Sequence, residues 1–202
     1  MATTADNQRW SQAWASALRA LDLLAGKSTA TAGSRIRRME VSLGQVTAEV
    51  QERTHGLCQI TITVEPLPEQ AWLQVLEMFQ QQVAGAPSID PRTAFPENEA
   101  AFHRFCALIF PNRRQDLQSS CSCCAGDERA CPALQAVYRQ LGAMLDEEPV
   151  LLLRLRGREW QQVVQALQNQ RSTSFHGPAT TNGHLRTISQ FEGHGPARTC
   201  SL

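Results

Sequence analysis

The sequence predicts an α+β chain: a small antiparallel three-stranded sheet packed with helices, then a cysteine knuckle, then C-terminal helices. Two patterns carry that expectation. Val46, Ala48 and Val50, and after them Cys58, Ile60, Ile62 and Val64, alternate with polar residues, the period of a half-buried strand. Around these runs lie stretches in which apolar residues recur every three or four positions, the period of a helix with one buried face. A third observation marks the candidate site: four of the seven cysteines fall within the eleven residues Cys121 to Cys131.

Taken in order, Asn7 to Ala25 reads as an amphipathic helix. Trp10, Trp14, Ala17, Leu18, Leu21 and Leu24 share one face, Gly26 is a stop, and the tryptophans are expected in the core. Lys27 to Ser34 is a small, polar linker. Arg35-Ile-Arg-Arg38 opens the sheet, as a solvated strand edge or as a phosphate contact. Strands are expected over 36–43, 46–51 and 58–64, with turn signals at Leu43-Gly44-Gln45 and His55-Gly56. Connections this short imply an antiparallel meander with one buried face. Cys58 falls on the apolar side and reads as a small core residue.

Leu67-Pro68 opens a helix to about Ala84, with Glu69 at its positive end and Trp72, Val75, Leu76, Phe79 and Val83 inward. After a loop over residues 85–91, a second helix runs from Pro96 to Ile109 and carries Phe102, His103, Phe105 and Cys106. Asn112 to Ser120 leads into the cysteines with short-strand character. From Pro132 a helix presents Leu134, Val137, Tyr138, Leu141 and Leu145 on one face. Val150 to Leu155 has the composition of a strand. Glu159 to Leu167 reads as a last helix, with Trp160, Val163, Val164 and Leu167 inward. From Asn169 onward Ser, Thr, Gly, His and Asn dominate and the apolar period is lost, the composition of a disordered tail. The spacings of His176, His184 and His194 fit no compact metal site, and Cys200 reads as a free thiol.

A chain of 202 residues suits one domain, about residues 7–168, followed by that tail. It divides into an N-terminal helix and linker (1–34), a sheet-plus-helix region (35–110), a finger region (111–168) and the tail (169–202). The 42% apolar and 19% charged content suits a globular chain, and a formal net charge of zero gives no global pull toward nucleic acid or membrane. No run approaches the eighteen or so apolar residues of a spanning helix. The start, Met1-Ala-Thr-Thr-Ala-Asp-Asn7, lacks the basic-then-apolar order of a secretory signal, so a cytoplasmic location with free or metal-bound thiols is expected. There is no Gly-rich phosphate loop, nucleophile elbow or His-Glu-x-x-His, and no His neighbours the cysteine cluster in sequence. The expectation is a protein that is not an enzyme.

The cysteine cluster has the layout of a metal knuckle. Cys121 and Cys123 form a Cys-x-Cys pair on one side of a tight turn, with Cys124 beside them. Ala125-Gly-Asp-Glu-Arg-Ala130 is short and polar enough to fold back. Cys131 then arrives at a helix start, where backbone N–H groups and the positive dipole end favour a thiolate. Tetrahedral zinc needs four donors. The fourth is Cys124, a distant residue such as His103, or nothing, in which case the turn packs without metal.

Residues from about Arg9 to Leu167 resemble a bacterial SWIM zinc-finger family protein, whose finger reads Cys-x-Cys, a variable loop, then Cys-x-His opening a helix. Cys121, Cys123 and Cys131 stand at those places, and Ala133 stands where the family has His. The likeness continues through Gln135-Ala-Val-Tyr138, Gly142 and the run Asp146 to Arg158, and upstream through Phe110-Pro-Asn-Arg-Arg-Gln-Asp-Leu117. It implies a short helix, rather than a strand, over 150–155. It also implies a Zn²⁺ site at Cys121, Cys123, Cys124 and Cys131, and binding to DNA or to a helicase-like ATPase of the chromatin-remodeller superfamily.

Arg154, Arg156 and Arg158, with Arg113 and Arg114, are the candidate basic patch for a nucleic acid or a partner. A protein-interaction adaptor with a degenerate finger is the alternative, and a thiol redox switch among the four cysteines is another.

Overall fold

Residues 35–64 form the meander that their alternation requires: β1 (Arg35–Ser42), β2 (Gln45–Glu52) and β3 (Gly56–Val64), each antiparallel to the next. The computed structural model describes residues 9–24, 33–86, 88–124 and 131–175. Gly44 closes the first hairpin at φ +70°, a conformation that costs a residue without Cβ little. Val46, Ala48, Val50, Cys58, Ile60, Ile62 and Val64 are all buried on one face. The other face carries the polar residues of the alternation, among them Gln45, Thr47, Gln59 and Thr63, and is open to solvent.

A fourth strand, β4 (Leu117–Cys121), pairs antiparallel with β3 and corrects the expected three-stranded sheet to four, in the order β1-β2-β3-β4. Asp116 sets its start. The buried carboxylate accepts the backbone N–H groups of Asn112 (3.3 Å) and Arg113 (3.1 Å) and the Arg113 guanidinium (3.2 Å). Burial raises its pKa, but these donors outweigh it and hold the carboxyl below its usual range. A depressed pKa contributes stability above the unfolded value of about 3.9, lost as pH falls through the folded value. Asp116→Asn is therefore expected to cost ~1–3 kcal/mol at neutral pH and to flatten the acid limb of the stability–pH curve. Chemical denaturation between pH 2 and 7 checks it, and a curve parallel to wild type would refute it.

The helices lie on the buried face. They are α1 (Arg9–Ala20), α2 (Glu69–Gln82), the one-turn α3 (Pro91–Ala94), α4 (Glu99–Ile109), α5 (Pro132–Glu147), α6 (Leu151–Leu155) and α7 (Trp160–Phe175). The central helix α5 packs on β1, β2 and β3 and carries α1 on its other side. Gly142 permits that approach, since a Cβ there would sit 3.2 Å from Trp14 Cδ1 and 3.3 Å from Ser11 Cβ. Trp14 Nε1–H donates to the Tyr138 carbonyl at 2.9 Å. Asp146 at the far end of α5 accepts the N–H groups of Trp10 and Ser11, both at 2.9 Å, and so caps α1. The buried Gln135 amide donates to the Leu23 carbonyl (2.8 Å). On the other flank Phe79, Phe95, Phe105 and Trp160 meet edge-on or tilted, joining α2, α4 and α7.

One core cluster runs from Trp10 to Leu167. Leu151–Leu155 is helix, as the family likeness implies, and not the strand that composition suggests: Leu151, Leu152, Leu153 and Leu155 are all buried, so no period shows. The tail expected from Asn169 is corrected in its first residues, which continue α7 to Phe175, with the Gln170 side chain accepting a hydrogen bond from Gln80 on α2. Residues 176–202, with His176, His184, His194 and Cys200, lie outside the described residues, as do 27–32 of the linker. Among the described residues no helix is long and apolar enough to cross a membrane.

Candidate metal centre

The alternation of β4 aims the cysteines. Leu117 is buried, Gln118 exposed, Ser119 half-buried, Ser120 exposed and Cys121 half-buried. Ser122 N–H donates to the Gln59 carbonyl (3.0 Å) and accepts the Gln59 N–H on its hydroxyl (2.9 Å), so the ladder runs one residue past the strand. Ser122 is thus exposed, and Cys123 turns to the same covered face as Cys121. Cys131 caps α5 and is buried, its sulfur accepting the Leu134 N–H at 3.4 Å. Tyr138, two turns along, bonds Ser119 Oγ at 3.1 Å and holds α5 against β4 beside the site.

The sulfurs of Cys121, Cys123, Cys124 and Cys131 lie within 4.8 Å of one another. Cys121 and Cys123 are 2.9 Å apart, and Cys123 and Cys124 are 3.5 Å apart. A tetrahedral ion with bonds of about 2.3 Å to sulfur sets its thiolates about 3.8 Å apart, so one ion fits with shifts under an ångström. The four donors are all sulfur, which suits a tetrahedral, thiophilic divalent metal.

Burial pushes every one of these thiols up. For Cys121, hydrogen bonds from the Cys123 thiol and backbone and from the Cys131 and Cys124 thiols outweigh burial and leave it below the ordinary value. Burial and the contact with Cys121 take Cys123 up to about 12, and burial takes Cys131 up to about 11. Cys124 is also raised, first by burial and then by its bonds to Cys131 and Cys123. One thiol is thus readier to ionise than the other three, and a cation held here would displace their protons.

Of the fourth-donor readings, Cys124 is the residue brought to the cluster. His103 stands on the exposed face of α4, paired with Glu99 at 3.7 Å, and takes no part in it. Ala133 is buried with no ligand atom to offer. Arg113 and Arg114 do not adjoin the cysteines: they stand before β4, whose last residue is Cys121, an extended separation of about 13 Å over four strand residues, and Arg113 is close enough to the buried Arg156 to repel it.

Nor are those arginines idle. Arg113 bonds Asp116, Arg114 donates to the Leu117 carbonyl (2.9 Å), and Arg154 grips Glu159 with contacts of 3.0–3.2 Å. Arg158 contacts Glu69 and lies 4.8 Å over the Trp72 ring. Arg156 is buried, with burial lowering its pKa, and donates to the Glu65 carbonyl. Sequence reasoning missed the placement of Cys58. It is fully buried as expected, yet its thiol is also near enough to that of Cys123 to interact with it.

Fold and site together define an α+β protein with a half-buried four-cysteine centre able to hold a metal ion. No family model matches the chain. It is similar to an uncharacterized protein of Mycobacterium tuberculosis, Rv2102, at 26% identity over 165 residues, which cover 82% of this chain and 58% of that protein. The chain therefore spans less than two thirds of that relative's length. No solved structure matches it.

Proposed function

We propose that the chain is a non-enzymatic zinc-binding module of the SWIM type, in which the metal pins β4 to the start of α5 and fixes a surface for a protein partner. The gathering of four sulfurs within 4.8 Å carries this reading. Zinc is the natural occupant of a tetrahedral all-thiolate structural site, and its binding energy is folding energy for the local region. The SWIM likeness suggests a helicase-like ATPase as the partner. Binding to DNA through arginines finds less support, because the finger-region arginines are engaged within the fold and the net charge is zero.

Elemental analysis of protein purified without added zinc tests the reading, beside Cys124→Ala. The expected result is about one zinc per chain, retained poorly or not at all in the variant. Full retention in the variant refutes the four-cysteine set. No zinc in wild type refutes the metal reading and leaves an adaptor that keeps the fold without metal, or, if Cys121 and Cys123 are found as a disulfide, a redox pair.

A further inference from the structure

We propose that Cys58 belongs to the metal site as a positioning residue: its S–H donates a hydrogen bond to the sulfur of Cys123. The inference rests on the metal-binding reading above and adds a residue to it.

Register places Cys58 there. Ile60 on β3 pairs with Cys121 on β4, and the strands run in opposite directions. The bonds between Gln59 and Ser122 carry the ladder one step further. The next residues in line are Cys58 and Cys123, and alternation turns both to the helix-covered face. The two thiols are near enough to interact, and once Cys123 is a metal-bound thiolate the Cys58 S–H is the donor of the pair. Yet Cys58 stands outside the group of four whose sulfurs are all within 4.8 Å of one another. It neighbours one ligand without sharing the ion.

Charge supplies the reason. A divalent ion held by four thiolates is a doubly negative centre, and this one is half-buried. Donors aimed at the sulfurs offset that charge and orient the ligands. Cys131 has the Leu134 N–H and Cys121 has the Cys123 N–H. For Cys123 the donor is the Cys58 thiol, a weak donor held rigid in a buried strand. A buried cysteine is commonly only a small hydrophobe. What distinguishes this one is a sulfur neighbour in the ligand set, at the single β3 position whose register reaches it.

The test is zinc affinity of the full chain, by competition with a chromophoric chelator, for wild type, Cys58→Val, Cys58→Ala and Cys58→Ser. Each variant is expected to take one zinc. Val and Ala should bind it ten- to a hundred-fold more weakly, the usual loss for an outer-shell partner, and Ser should recover part because its O–H donates too. With Co²⁺ as probe, the sulfur-to-metal charge-transfer band should shift in Val and Ala while keeping the intensity of four thiolates. Two apolar replacements of different size guard against misfolding of one, and metal-free melting of each separates lost packing from lost affinity.

Wild-type affinity in both Val and Ala overturns the proposal alone. A charge-transfer intensity that falls by about a quarter overturns it by making Cys58 a ligand. A wild-type chain that takes up no metal defeats the site reading, and this inference with it.

Discussion

Cys131→Ala is expected to abolish metal binding and loosen the start of α5, because one side chain is placed to serve both. Its sulfur is one of the four donors and also accepts the Leu134 N–H as the helix N-cap. Loss of a cap costs ~1 kcal/mol. Loss of a ligand that binds only the folded state removes ~3–4 kcal/mol when metal stands at a hundred to a thousand times its dissociation constant. Zinc content should fall from about one per chain to near zero, and melting in excess zinc should drop to the metal-free value or below. Cys131→Ser divides the two roles, since a hydroxyl caps a helix well and holds zinc poorly. It should lose the metal and keep most of the metal-free stability. A Cys131→Ala protein that still carries one zinc would remove Cys131 from the site.

Trp14→Ala should be among the most destabilising single changes, at ~3–5 kcal/mol. The indole is 2% exposed, fills the α1–α5 contact that Gly142 opens, and donates to the Tyr138 carbonyl across 124 residues of chain. Truncation leaves a large cavity and removes a buried hydrogen bond in one step. Urea denaturation measures the loss, and a value below about 1 kcal/mol would mean that α1 packs only loosely. The folded fraction should still bind metal, because the cysteines stand on β4 and at the first turn of α5 rather than on α1.

Much of this was legible in the chain. The β2 and β3 alternation and the helical stripes of α2 and α5 survive, since each element buries one face and period reports that directly, whereas α1 ends at Ala20 rather than Ala25 and α4 starts at Glu99 rather than Pro96. β4 was harder to see. Of its five residues only Leu117 is wholly buried, and its strand character comes from pairing with β3 and from the Asp116 turn. The nearness of Cys58 to Cys123 was invisible because the β3–β4 register that brings them toward each other exists only once β4 is in place. The four-cysteine cluster itself was readable, as a tight pair and a cysteine at a helix start, while the loop 125–130 between them lies outside the described residues.

The wiring of α5 has a consequence for portability. A finger whose ligands all lie on one short segment can be cut out and grafted. Here residues 117–147 contain all four cysteines, yet the segment takes its shape from pieces elsewhere in the chain. β3 sets the direction of β4, and Trp14 and the Asp146 cap lock α5 to a helix at the other end of the sequence. The metal centre is a property of the assembled domain and has no smaller unit that could be lent to another protein.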